Sequence, residues 1–202
     1  MRPLLKGVPA RRVRLDAIYF DTADRQLQKN RMALRLRRSG RQWLQTLKAE
    51  GKARGGLSAR PEWESPAKLL RGQPRLDLAR LQDSPLPALL AGHPKSGPLR
   101  PVFRVRVTRT LWELDVRRSR IEVAMDRGTL EAQRNGRRVT EPVAELELEL
   151  KQGRADDLLA AALRLAGTGK AALALVPIRA SKAERGYRLV AGEPRAPTKA
   201  AA

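Results

Sequence analysis

The 202-residue chain is 42 % hydrophobic, enough to bury the core of one domain, or of a large domain with a small appendage. It has no cysteine, which excludes disulfides and zinc-thiolate sites, and its one histidine, His93, lies in the loop-like Gly92-His93-Pro94, where a solvated residue is a simpler reading than a catalytic one. Lys plus Arg is 42 against 21 for Asp plus Glu; the net +21 points to a polyanion (nucleic acid, anionic membrane or phosphate-rich small molecule), although a coding bias toward Arg and Ala also raises the count, so position must decide.

The start Met1-Arg2-Pro3-Leu4-Leu5-Lys6 has no apolar run for a signal peptide, and no stretch approaches the roughly 20 apolar residues of a membrane span. The expectation is a soluble, cytoplasmic protein. Ala17-Ile18-Tyr19-Phe20-Asp21 reads as a strand, and Thr22-Ala23-Asp24 offers capping groups for a short turn or helix through Gln28. Ala33 to Arg38 alternates Leu with Arg, Ser39-Gly40-Arg41 makes a tight turn, and Gln42 to Lys48 returns. Gly51 to Leu57 reads as a mobile loop, and Arg60-Pro61-Glu62-Trp63-Glu64 as extended chain. Residues 65 to 100 hold most of the prolines, and the pattern predicts one or two short covering helices there. Val102 to Val116 and Ile121 to Asp126 alternate apolar and charged residues. Asn135-Gly136 marks a hairpin between 129–134 and 137–139, and Val143 to Lys151 is the most regular strand. Ala155 to Ala166 is helical, with Asp156 and Asp157 at its positive end and Gly167 as its stop. Residues 191–202 form a Pro/Ala-rich tail expected to be disordered. Short strands joined by hairpins, with few helices, favour an antiparallel barrel or sandwich.

Alternation with charge carries the functional argument. In Glu145-Leu146-Glu147-Leu148-Glu149 the carboxylates share one strand face and the leucines the other; in Leu34-Arg35-Leu36-Arg37 the arginines share a face. A single strand of this kind usually turns its charges to water. Here several do it with opposite signs: Arg35, Arg37 and Lys48 are cationic, while Glu62, Glu64, Glu122, Asp126, Glu145, Glu147 and Glu149 are anionic. Closing such strands into a barrel gathers the charges inside, which is costly unless they are paired or hold ions. Carboxylates take hard divalent cations and arginines fork onto phosphate oxygens, so a metal-bound polyphosphate is the matching ligand.

These residues resemble the CYTH superfamily of triphosphate tunnel enzymes, in particular its bacterial inorganic triphosphatase branch. The resemblance rests on Tyr19-Phe20-Asp21-Thr22, Ala33-Leu34-Arg35-Leu36-Arg37, Gln45-Thr46-Leu47-Lys48, Gly55-Gly56-Leu57 with Arg60-Pro61-Glu62-Trp63-Glu64, Ile121 to Asp126, Glu145 to Glu149, and Ser181-Lys182-Ala183-Glu184-Arg185-Gly186-Tyr187. They occur in the family's order across residues 17 to 190. The resemblance implies an α+β, mainly β fold: an antiparallel eight-stranded tunnel with a few covering helices, forming one domain over residues 1–190. It implies phosphate contacts from Arg35, Arg37, Lys48, Arg60, Arg109 and Arg185. Lys182, Glu62 and Glu64 would be catalytic, and Asp126, Glu145, Glu147 and Glu149 would hold Mg2+ or Mn2+. Arg109 shares parity with Phe103, Val105 and Val107, so a β-bulge before it is expected.

Two departures accompany the resemblance. The family's opening Glu-x-Glu-x-Lys strand has no counterpart before Tyr19, and residues 1 to 16 read as the end of a following helix and a linker; either a start codon placed too late or a truncated, inactive version would account for this, and the misplaced start is the expectation. The chain as written is therefore expected to hydrolyse triphosphate poorly or not at all. Many family members also carry a C-terminal helical CHAD domain, and none is expected within residues 1–202. Gly167-Thr168-Gly169-Lys170-Ala171 fails as a P-loop, because Ala171 and Arg164 stand where Ser/Thr and Gly are required. The expected function is metal-dependent hydrolysis of inorganic triphosphate to pyrophosphate and phosphate. Thiamine triphosphate, a nucleoside triphosphate or ATP cyclisation remain open, as does a non-catalytic module binding polyphosphate or RNA. An aromatic content of 3 % argues against base-stacking platforms and thus against nucleic acid as the partner.

Overall fold

The computed structural model describes residues 3–49, 51–54, 57–59, 61–167 and 180–194; Arg60, the 168–179 segment and the tail from 195 lie outside the described residues. The strands are β1 (Arg11–Asp21), β2 (Ala33–Ser39), β3 (Gln42–Lys48), β4 (Lys52–Arg54), β5 (Leu57–Ala59), β6 (Glu62–Pro66), β7 (Lys68–Leu70), β8 (Gln73–Arg75), β9 (Arg100–Val116), β10 (Ser119–Arg134) and β11 (Arg137–Gln152). The helices are α1 (Gln26–Lys29), α2 (Leu86–Gly92), α3 (Ala155–Ala166) and α4 (Lys182–Ala191). Seven strands form one antiparallel sheet in the order β11-β10-β9-β1-β2-β3-β6. The mainly-β, α+β architecture is as expected. Among the described residues, however, the edges β11 and β6 do not pair with each other, so these strands make an open sheet and not a closed barrel.

Several boundaries differ from the sequence reading. β1 begins at Arg11, inside the stretch read as helix end and linker, because Val13 and Leu15 extend the inward row of Ala17 and Tyr19. β10 and β11 run unbroken for 16 residues each. Asn135 and Gly136, at φ 51° and 71°, turn the chain between them as the Asn-Gly pair requires. Within the segment read as a loop, Lys52–Arg54 is a strand paired antiparallel with Leu57–Ala59, while Gly55 and Gly56 lie outside the described residues. Within 65–100 a second hairpin, β7–β8, precedes a 3-10 turn at Leu78–Leu81 and the single helix α2. α3 and its Gly167 stop, at φ 69°, fall where expected.

Each face of the sheet is apolar over part of its extent. One face, which carries Arg35 and Arg109, is here termed the site face. There Leu15, Ala17, Tyr19, Phe103, Val105, Leu130 and Val143 form a core closed by Tyr187 of α4. On the reverse face, α3 packs Leu158, Ala161 and Leu165 on Trp112, Leu114, Ile121 and Val123. Farther along that face, Leu34 and Leu47 are buried under Leu27, Leu81 and Leu86. Asp157 ties α3 to the β9–β10 turn by accepting bonds from Ser119 Oγ (2.6 Å) and Arg117 (3.2 Å). No helix among the described residues is long and apolar enough to cross a membrane.

Candidate functional site

Register alone places the charged residues. Glu62 lies opposite Lys48, Glu64 opposite Thr46, and Thr46 opposite Arg35. Arg35 faces Tyr19, and Arg37 faces Ala17. At the other end, Val13, Arg109, Asp126 and Glu145 form one continuous rung, with Glu147 on the next. Directly opposed residues share a face, so these charges all stand on the site face. The β9–β10 register runs unshifted through Arg109. The expected bulge is therefore absent. Arg109 simply continues the Phe103-Val105-Val107 row, whose apolar half α4 covers and whose charged half it leaves open.

The acidic end is built around α4. Ser181 caps its first turn by accepting from the Glu184 N–H at 3.2 Å, and the Glu184 carboxylate in turn accepts from the Ser181 N–H at 2.6 Å. This capping box was legible as Ser181-x-x-Glu184, yet the sequence reading assigned no helix there. Lys182, on the first turn, places its ammonium 2.5 Å from Glu145, 2.6 Å from Glu147 and 3.0 Å from Asp126. Asp126 is 1 % exposed and Glu147 48 % exposed, so the cluster runs from the sheet floor to solvent. Arg109 forks onto both oxygens of Asp126 at 2.7 Å and reaches Glu147 at 2.8 Å. Arg185, three residues after Lys182, donates to Glu141, Glu145 and the Pro142 carbonyl. Its position is one that holds Glu145 for Lys182. Glu149 shares the face but stands beyond the cluster, paired with Lys151 at 2.8 Å.

Charge and burial oppose each other here, and charge wins. Burial works against ionised Asp126, but the bonds and charge of Arg109 and Lys182 hold its pKa below the usual carboxylate range. Glu147 is held low in the same way, burial being overcome by Lys182 and then Arg109. Burial also works against the Lys182 ammonium, yet Glu147, Glu145 and Asp126 raise its pKa above the ordinary lysine value. Lys182 is therefore a fixed cation at neutral pH.

The basic end differs. Arg37 reaches Glu64 at 3.2 Å, Thr46 Oγ1 donates to Glu64 at 2.9 Å, and Lys48 pairs with Glu62 at 2.8 Å. The Nε atoms of Arg35 and Arg37 are nevertheless buried without a partner. Burial, then the charge of Arg35, lowers the Arg37 pKa, and Arg109 adds to the effect across the sheet. Neighbouring guanidinium donors left unmet are groups that an anion's oxygens can satisfy. Of the sequence-derived residues, all but Arg60, which lies outside the described residues, are on this face or on α4 over it.

Divalent-metal chemistry can be tested against these residues. Asp126, Glu145 and Glu147 offer hard oxygen donors around one cationic position, the donor type magnesium and manganese require. Among the described residues, no group of three such side chains stands ready around an ion, because Lys182 and Arg109 already engage these oxygens. The donor set fits a metal in kind, with rearrangement of these ion pairs.

A family model described as CYTH domain matches residues 3–187. Over 145 residues the chain is 34 % identical to an inorganic triphosphatase of Haemophilus influenzae; the match covers 69 % of this chain and 37 % of that protein. The chain thus spans little more than a third of the length of this curated relative. Among solved structures, a Hippeastrum protein described as a candidate adenylyl cyclase with dominant triphosphatase activity aligns at a TM-score of 0.44 and 17 % identity, covering 78 % of this chain and 74 % of that one. A Pyrococcus horikoshii protein aligns at 0.41 and 17 %, covering 78 % and 75 %.

Proposed function

The chain belongs to the CYTH domain family, and from that premise we propose that it hydrolyses inorganic triphosphate to pyrophosphate and phosphate with a divalent metal ion, magnesium or manganese. The observation that carries the reading is the pair of partnerless buried guanidinium nitrogens on Arg35 and Arg37. A triphosphate is a compact polyanion whose non-bridging oxygens match such donors.

Arg35, Arg37 and Lys48 line one end of the face and take phosphate oxygens, with Arg60 assigned the same role from its motif. Arg109 and Arg185 act chiefly by fixing Asp126, Glu147 and Glu145, and the resemblance assigns Arg109 a phosphate contact as well. Asp126, Glu145 and Glu147 would hold the metal, with Glu149 at the rim of the same face. When bound, the metal supplies charge neutralisation and a more acidic water. Lys182, held cationic, donates to oxygens on which negative charge grows in the transition state. Glu62 and Glu64, on β6 opposite Lys48 and Thr46 of β3, orient the attacking water and accept its proton. Thr46 and Arg37 fix Glu64 for that task.

The test is titration of the full chain with tripolyphosphate by calorimetry, with and without chelator, and product analysis by anion exchange with magnesium or manganese. Arg35→Ala should weaken tripolyphosphate binding about 10- to 100-fold, the range for one charge-assisted hydrogen bond lost in a buried site. Binding of tripolyphosphate no tighter than of orthophosphate would overturn the reading.

A further inference from the structure

The reverse face holds a second concentration of arginine that the proposed reaction does not use. Between the α3 cap and the cap over Leu34 and Leu47 lies a bare strip of sheet. One of its rungs reads Arg14-Thr108-Arg127-Ala144 and the next Arg38-Asp16-Arg106-Thr129-Pro142. A third brings Arg104 beside Glu131 and Thr140. Apart from half-buried Asp16, Arg104 and Glu131, these side chains are exposed, while the rows beneath them on the site face, such as Leu15, Val107 and Val143, are buried.

The strip's charges do not cancel. Asp16 takes Arg104, and Glu131 takes Arg106 and Arg138. Arg12, Arg14 and Arg127 have no ion pair among the described residues, and Arg38 donates only to the Gly40 carbonyl. Five strands at about 4.8 Å make the strip about 19 Å wide, and arginines two residues apart on β1 stand about 7 Å apart along it. A flat array of forked cations, interleaved with threonine hydroxyls and without aromatic rings, offers phosphate contacts and no base-stacking surface. We propose that this strip docks the sugar-phosphate backbone of a nucleic-acid duplex, without regard to sequence. The inference is independent of the triphosphatase reading. It also answers the expectation drawn from low aromatic content, since that content bears on base stacking and not on backbone contact.

Binding follows from counterion release. Four unpaired arginines predict a log–log salt slope of about −3.6, so affinity should fall on the order of 100-fold between 50 and 200 mM salt. The experiment is fluorescence anisotropy of a labelled duplex of about 20 base pairs with the full chain. Arg14→Gln with Arg127→Gln should lower affinity at least about tenfold and reduce the slope by about 2. The pair Lys68→Gln with Arg75→Gln removes the same charge from the exposed β7–β8 hairpin and should cost less than about twofold. All four residues are exposed, so each variant should fold, and a second strip pair, Arg12→Gln with Arg38→Gln, repeats the test. Tripolyphosphate affinity should be unchanged in the strip variants. Equal losses from strip and hairpin pairs would show diffuse attraction and overturn the inference. So would competition by polyglutamate or anionic vesicles as strong as by duplex of equal charge, or no duplex binding at low salt.

Discussion

Replacing Lys182 with Gln removes one ammonium from among three carboxylates and leaves the carboxylates in place. Asp126 and Glu145 are almost fully buried, at 1 % and 5 % exposed, and Lys182 itself is 12 % exposed. Breaking a buried ion pair costs about 3–5 kcal/mol. Half-exposed Glu147 is screened by solvent and Arg109 still neutralises Asp126, so the lower end, about 3 kcal/mol, applies. For a chain of this size that is roughly 6–12 °C in Tm. The sign with pH follows from the raised and lowered pKa values. The raised pKa of Lys182 contributes stability that is full below the unfolded lysine pKa and lost as pH rises through the folded one. The lowered pKa values of Asp126 and Glu147 contribute stability present above the unfolded carboxylate pKa and lost as pH falls through the folded ones. The gap between wild type and Lys182→Gln should therefore be widest near neutrality and narrow below about pH 4. With its oxygens freed, the variant should also gain more Tm from manganese than wild type does. Thermal melts across pH 3–8, with and without metal, measure all three. A loss under about 1 kcal/mol that does not vary with pH would refute the idea that Lys182 is the cluster's counterion.

Gly186 lies against Phe103, and an added Cβ would stand 2.3–2.5 Å from three ring atoms. Gly186→Ala should cost at least about 1–3 kcal/mol and, by lifting α4, weaken tripolyphosphate binding as well; calorimetry on the folded variant tests the second effect. Arg37→Met should raise Tm by a few degrees, because its charge is disfavoured by burial and by Arg35, while weakening tripolyphosphate at least about tenfold. Tyr187→Phe removes the 2.8 Å bond to fully buried Asp21 and should cost about 1.5–3 kcal/mol by denaturant unfolding. Glu147→Gln should raise the metal concentration needed for half-maximal phosphate release more than it raises the tripolyphosphate KM.

Much of this protein is written locally. The alternation in Glu145 to Glu149 and in Leu34 to Arg37 assigns side chains to faces, because strand geometry has period two and neither pattern survives a one-residue slip. Asn135-Gly136 fixes a hairpin, since those two residues tolerate the positive φ that its turn demands. Ser181 and Glu184 similarly encode the start of α4, a signal available to local reading though not taken up there. What local pattern could not decide is which charges meet. Parity alone put Arg109 on an apolar row and suggested a bulge; the sheet resolves the conflict by covering half of that row with α4 and leaving the other half open. Lys182 and Arg185 lie about 40 residues from Glu145 in sequence. That one becomes the counterion of three carboxylates, and the other a clamp on Glu141 and Glu145, follows only from where α4 docks. That docking is set in turn by the Gly186 contact with Phe103 and the Tyr187 bond to Asp21. Strand faces follow from short-range geometry, whereas burial, pairing and pKa depend on neighbours that only the assembled sheet supplies.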